Sequence, residues 1–169
     1  MIGHPFEEHI PSLRRYAFAL LRERSRADDL VQDTLERGLT KFALFRHGTD
    51  LRAWLFAIMH NIYVNNVRTA ARIYTVTLDD SPGHEEPESD DGSTLRDIFN
   101  VLARLEPAQR EIILLVGLEQ LSYEQAARVL DIPIGTVMSR LSRARQRFNR
   151  LMSGVEVGWH PEAMQCVSA

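Results

Sequence analysis

The sequence predicts an all-α fold in two small helical domains joined by a flexible acidic linker. Three observations carry this reading. Apolar residues recur at helical spacing through most of the chain, no strand-like alternation runs longer than Tyr74 to Leu78, and the charges are segregated. Residues 1–72 carry a net +3, residues 73–93 hold seven acids and no Lys or Arg for −7, and residues 94–153 return to +3 before a tail of −2. Two basic modules separated by an acidic strap point to polyanion-binding lobes and a connector that avoids the polyanion, although a solvated acidic loop has the same composition.

The first module, residues 1–72, opens with Leu13, Tyr16, Ala17, Leu20 and Leu21, the stripe of an amphipathic helix. A second stripe follows at Ala27, Leu30, Val31, Leu35 and Leu39, and a third at Leu51, Trp54, Leu55, Ile58 and Ile62 in a helix that can continue to about Arg72. Gly48 marks the break before it and Asp50 is placed to cap it. Between Thr75 and Ser93, Pro82, Gly83, Pro87 and Gly92 stand among acids and serines, too few apolar groups for a core, so 73–93 reads as linker.

The second module, 94–153, resumes with Leu95, Ile98, Phe99, Leu102 and Leu105. Pro107 suits a first helical turn and opens a buried helix through Ile112, Leu115 and Val116. Ser122-Tyr123-Glu124-Gln125 is a capping box, which satisfies two orphan N–H groups reciprocally. After Asp131-Ile132-Pro133 comes a last helix whose apolar positions are Val137, Leu141, Ala144, Phe148 and Leu151. The tail 154–169, with Trp159 and Cys166, is too short to be a domain and is expected to be disordered.

The final helix pair matches a helix-turn-helix. If Val137, Leu141, Ala144 and Phe148 face inward, then Ser139, Ser142, Arg143 and Gln146 face out, flanked by Met138 on one side and Arg140 and Arg147 on the other. Hydroxyl, amide and guanidinium groups suit base edges, and five Arg without an acid between 133 and 150 suit phosphates. Backbone N–H groups at Gly135-Thr136 suit a phosphate as well. A solvated basic helix face is the bland alternative.

Four motifs in order carry a family resemblance. Ala27-Asp28-Asp29-Leu30-Val31-Gln32-Asp33-Thr34 resembles region 2.2 of a bacterial sigma factor, and Leu51-Arg52-Ala53-Trp54-Leu55-Phe56-Ala57-Ile58 with Asn61 resembles regions 2.3 and 2.4. Pro107-Ala108-Gln109-Arg110-Glu111 resembles the start of region 4.1. Ser122 to Ala127 with Ile134 to Arg145 resembles region 4.2, and no region 3 intervenes. That order is similar to the extracytoplasmic-function (ECF) sigma factors of the sigma-70 family, over about residues 5–153.

The resemblance implies a role for each module. Asp28, Asp29, Gln32, Asp33 and Glu36 would dock on core RNA polymerase, an acidic stripe against a basic partner. Phe45 and His47 would border a flipped base at the −10 promoter element, with Phe42 either a pocket wall or core, while Asn61, Asn65, Arg68 and Arg72 would hold the opened strand and Trp54 would be core. At the −35 element Met138, Ser139 and Arg143 would read bases, Arg140, Arg145 and Arg147 would contact phosphates, and the helix N-terminus at Thr136 would help hold the backbone. Met138 departs from the family, where this position is often basic, and would touch either a thymine methyl or nothing. The resemblance also implies an anti-sigma partner, a protein monomeric when free or 1:1 with that partner, and a cytoplasmic site of action. A stand-alone helix-turn-helix regulator and a pure interaction module remain the competing readings.

Enzymatic readings find no support. The six histidines contain no pair at i+3 or i+4, no phosphate-binding or dinucleotide fingerprint is present, and the Asp28-Asp29 carboxylates diverge around their helix. No catalytic residue, metal site or cofactor is expected. A single cysteine excludes an internal disulfide, and no uninterrupted apolar run approaches the length of a membrane span. The N-terminus lacks the basic-then-apolar pattern of a signal peptide.

Overall fold

The computed structural model of the chain describes residues 5–46, 48–74 and 92–154. Among these residues every regular element is helical. A 3₁₀ turn at Glu7–His9 leads into α1 (Ile10–Leu21) and α2 (Arg24–Lys41), and a second 3₁₀ turn, Phe42–Leu44, precedes α3 (Leu51–Tyr74). The second module contains α4 (Gly92–Ala103), α5 (Pro107–Ile113), α6 (Tyr123–Leu130) and α7 (Ile134–Ser153). The expected linker falls mostly outside the described residues, as does the tail beyond Gly154.

Local signals terminate these helices much as their residue types dictate. Pro11 opens α1, and Arg22 ends it in the left-handed conformation at φ 59°, its N–H donating to Phe18 O at 2.8 Å. Asp50 caps α3 by accepting from Ala53 N at 3.1 Å. In α6 both halves of the capping box are formed: Gln125 N donates to Ser122 Oγ at 3.1 Å, and Ser122 N donates to Gln125 Oε1 at 2.7 Å. After α5 the backbone widens into a π turn at Leu114–Leu118, which periodicity alone does not foretell.

Leu13, Tyr16, Ala17 and Leu20 of α1 are buried with Ala27, Leu30 and Val31 of α2. On α2 the stripe then departs from expectation. Thr34 and Gly38 are buried, whereas Leu39 is 53 % exposed. Phe6 explains the change, because its ring lies where a Gly38 Cβ would stand, 3.0 Å away, with Leu55 at 3.2 Å. Gly38→Val is therefore expected to lower stability by about 2 kcal/mol through overpacking, read from chemical unfolding. On α3 the fully buried row is Leu55, Phe56, Met59 and Ile62, while Trp54 and Ile58 are only half-buried. Phe56 meets Tyr16 edge to face at 5.2 Å.

The two modules do not stand apart. Their buried side chains form one continuous core, with Ile112, Leu114, Leu115 and Leu118 following on from the first module's apolar groups. A ring of polar joints surrounds this junction. Glu119, whose side chain is wholly inaccessible, accepts from Arg15 Nε and Nη2 at 3.0 and 2.8 Å and from Arg52 Nη2 at 2.6 Å. His60 Nδ1 lies 2.7 Å from Glu111 Oε1, Gln125 reaches the free oxygen of Asp50, and Arg22 bonds Asn100 at 3.4 Å. Burial first, and then the charge of Glu111, holds the Tyr16 hydroxyl well above the usual phenol range.

Candidate nucleic-acid and docking surfaces

The helix-turn-helix is set by a tight connection. Asp131 takes the left-handed conformation at φ 51°, Ile132 N donates back to Ala127 O at 3.1 Å, and Pro133 O accepts from Thr136 N and Val137 N at 2.9 and 3.1 Å. Val137, Leu141, Ala144, Phe148 and Met152 are buried. The last of these takes the place expected of Leu151, which is half-buried. This orientation exposes Ser139, Arg140, Ser142, Arg143, Gln146 and Arg147 along one flank, with Met138 54 % exposed and Thr136 half-buried. Ser139 Oγ donates to Thr136 O at 3.1 Å and Arg143 Nε to Ser139 O at 3.3 Å, which aligns both side chains along α7. Among the described residues Arg140 and Arg147 have no side-chain partner, so their donors face solvent.

Around the turn between α2 and α3 the expected site is an aromatic cluster. Phe42 and Phe45 stack with centroids 5.9 Å apart and planes 6° from parallel, Phe45 meets Trp54 at 5.2 Å, and Phe6 closes on Phe42 at 5.2 Å. Phe42 thus serves as partly buried core, and Phe45 presents only part of its surface. Asn61 and Asn65 are exposed on α3 with Arg68, although Asn61 Nδ2 already donates to Ala57 O at 2.9 Å. His47 and the side chain of Arg72 lie outside the described residues. Leu44, 78 % exposed at the tip of the turn, was not singled out by the sequence.

Asp28, Asp29, Gln32, Asp33 and Glu36 are all exposed on one face of α2. Arg14 approaches Asp28 at 3.9 Å with both side chains more than half exposed, a pair worth little in water. Gln32 donates to Glu36 at 3.3 Å. Asp29 and Asp33 border a groove of about 310 Å³ floored by Leu20, Leu30 and Tyr63 and closed by Arg110 of the second module. Burial, reinforced by the charge of Glu111, raises the Tyr63 hydroxyl above its ordinary range.

The residues that join the modules escaped sequence reasoning. One signal was available, since Glu111 stands directly before the most apolar run in the chain, Ile112 to Val116. An acid there has to find a buried partner. Among the described residues, no group of three or more His, Cys, Asp or Glu is placed to hold a metal ion. No helix among them is long and apolar enough to cross a membrane.

Known proteins share this arrangement. Residues 6–60 match the family model described as the Sigma2 domain of PhyR, and residues 95–148 match Sigma-70, region 4. The ECF RNA polymerase sigma factor EcfG of Rhodopseudomonas palustris is 37% identical over 153 residues, covering 85% of this chain and 80% of that protein. The ECF RNA polymerase sigma factor SigC of Mycobacterium tuberculosis is 32% identical over 130 residues, 75% of this chain and 70% of that one. Among solved structures, the sigma factor RpoE of Bartonella quintana, crystallised with the anti-sigma factor NepR, superposes with a TM-score of 0.77 at 34% identity, covering 88% of this chain and 94% of that one.

Proposed function

The chain belongs to the ECF RNA polymerase sigma factors, and we propose from this membership how its surfaces divide the work. It directs core RNA polymerase to specific promoters and initiates transcription; it is a DNA-binding transcription regulator. In our reading residues 1–72 dock on the polymerase and open the −10 element, 73–93 connect, and 94–153 recognise the −35 element. The α2 stripe of Asp28, Asp29, Gln32, Asp33 and Glu36 meets the polymerase. Ser139 and Arg143 read bases at −35 with Met138 touching a thymine methyl, and Thr136, Arg140 and Arg147 hold phosphates. At −10 the strand lies along Asn61, Asn65, Arg68 and Arg72, next to the cluster that seats Phe45, with His47 at its edge.

One observation carries this division: the chain presents two exposed faces of opposite chemistry, acidic on α2 and basic on α7. A stand-alone regulator has no need of the first. The likeness to a sigma factor held by NepR supports control by an anti-sigma factor of that kind, as a 1:1 complex acting in the cytoplasm.

The test is co-migration with core RNA polymerase on size exclusion. The wild-type chain is expected to elute with the enzyme, and Asp29→Arg/Asp33→Arg to lose at least 100-fold in affinity, as close charge pairs at interfaces do when reversed. Co-migration that survives the double variant moves the interface away from α2. Failure of a folded wild-type chain to co-migrate removes the docking assignment altogether.

A further inference from the structure

Arginines on two separate elements converge beside α7. Two adjoining depressions, of about 360 and 240 Å³, run between α7 and the corner where α4 gives way to α5, and they share Glu106, Gln109 and Arg143. On the α7 side the wall is Arg140, Arg143, Arg147 and Arg150, which recur at three- and four-residue steps and so form one ridge about 15 Å long. On the other side stands Arg104, exposed at the end of α4. Among the described residues Arg104, Arg147 and Arg150 make no side-chain hydrogen bond or ion pair. With Arg140, four of these five cations therefore keep every side-chain donor unused among those residues, and all five crowd one trough in spite of their mutual repulsion. Such a trough fits a polyanionic chain better than a protein surface or a small ligand, because its charges are spread along a line.

We infer that the α4–α5 corner is a second DNA contact, in which Arg104 and Gln109 hold the phosphate backbone of the strand that runs along the arginine ridge of α7. This deepens the reading of α7 as the −35 helix and rests on it. Base reading stays with Ser139 and Arg143, while Arg104 and Gln109 fix how the duplex is registered against them. Glu106 is the one acid that lines the trough among the described residues. It sits at the N-cap of α5 without a side-chain bond to that helix, so no local structure requires its charge. Its carboxylate opposes the phosphates and sets the affinity below what the arginines alone would give.

The assay is fluorescence anisotropy of the full-length chain on a labelled 30-bp duplex of mixed sequence between 50 and 200 mM KCl. Arg104→Ala is expected to weaken binding about five-fold at the low-salt end and to flatten the salt slope by about 0.9, the value of one phosphate contact. Arg104→Lys is expected to restore the slope, and Glu106→Gln to tighten binding about three-fold, an improvement that loss of folding cannot mimic. Arg37→Ala, an exposed arginine on α2, should match wild type. The inference is overturned if Arg104→Ala and Glu106→Gln both bind like wild type while Arg140→Ala/Arg147→Ala is weakened, a result that leaves the α7 reading intact. Equal binding by wild type and Arg140→Ala/Arg147→Ala, or none by either, overturns the α7 reading and this inference together. A normal duplex isotherm for Arg104→Ala with lost binding of a poly-glutamate peptide assigns the trough to an acidic protein instead.

Discussion

Replacing Arg15 and Arg52 together with methionine is expected to lower folding stability by about 4 kcal/mol and the thermal midpoint by roughly 8–15 °C. The reason lies in Glu119, whose side chain is inaccessible to water while those of its two arginine partners stay 24 and 29 % exposed. Either arginine alone still gives the carboxylate a counter-charge, by two bonds from Arg15 or one from Arg52. With both gone a charge is left buried without a partner, which costs far more than the three hydrogen bonds themselves contribute. The single substitutions should therefore each cost about 1–2 kcal/mol, and the double should exceed their sum. Urea unfolding followed by circular dichroism measures all three. A double variant that loses no more than about 1 kcal/mol, the worth of ordinary surface pairs, would show that the carboxylate does not depend on this clasp.

The clasp explains why the closed arrangement was invisible in the sequence. Glu119 and Arg15 are separated by 104 positions, Glu119 and Arg52 by 67, and Glu111 and His60 by 51. Glu111 apart, which directly precedes the Ile112–Val116 run, each of these residues has the polarity of a solvated helix face, and nothing in a periodic pattern says that a second module will cover it. What was legible is what local chemistry decides: the Ser122–Gln125 capping box, the Asp50 cap and the apolar row of α7 from Val137 to Phe148. Where a neighbour decides, periodicity slipped. On α2 the ring of Phe6 needs the space above Gly38, so the buried row follows Thr34 and Gly38 while Leu39 turns to solvent. The proposed functional surfaces sort in the same way. The α2 stripe and the α7 face could be read because a solvent-facing row is simply the complement of a buried one. Arg104 and Gln109 could not, because the trough exists only once α5 lies beside α7.

Arg110→Met is expected to cost about 3 kcal/mol, and Arg110→Lys to recover less than half of it. The guanidinium of Arg110 donates from Nε to Leu102 O at 2.9 Å, from Nη2 to Ala103 O and Leu105 O at 2.8 and 3.4 Å, and from Nη1 to Leu20 O at 3.1 Å. Leu20 O lies in the last turn of α1 and Leu102 O and Ala103 O in the last turn of α4, where a helix runs out of its own N–H partners, and Leu105 O follows in the turn after α4, its N–H donating to Leu102 O at 3.2 Å. One planar fork thus closes two helix ends in different modules, and an ammonium, with its donors on a single atom, cannot span them. Burial lowers the affinity of this guanidinium for its proton, opposed by the neighbouring Tyr63 hydroxyl, yet its ordinary value lies so high that it stays charged. Arg110 also closes the groove bordered by Asp29 and Asp33, so loss of the fork reshapes the floor beside the α2 stripe that we propose as the polymerase-docking face. The methionine variant should therefore show weaker co-migration with core polymerase at temperatures where it is still folded, although both aspartates are untouched. Stability equal to wild type in urea would mean that water replaces the fork at all four carbonyls. Lost stability with unchanged polymerase affinity would confine Arg110 to holding the modules together.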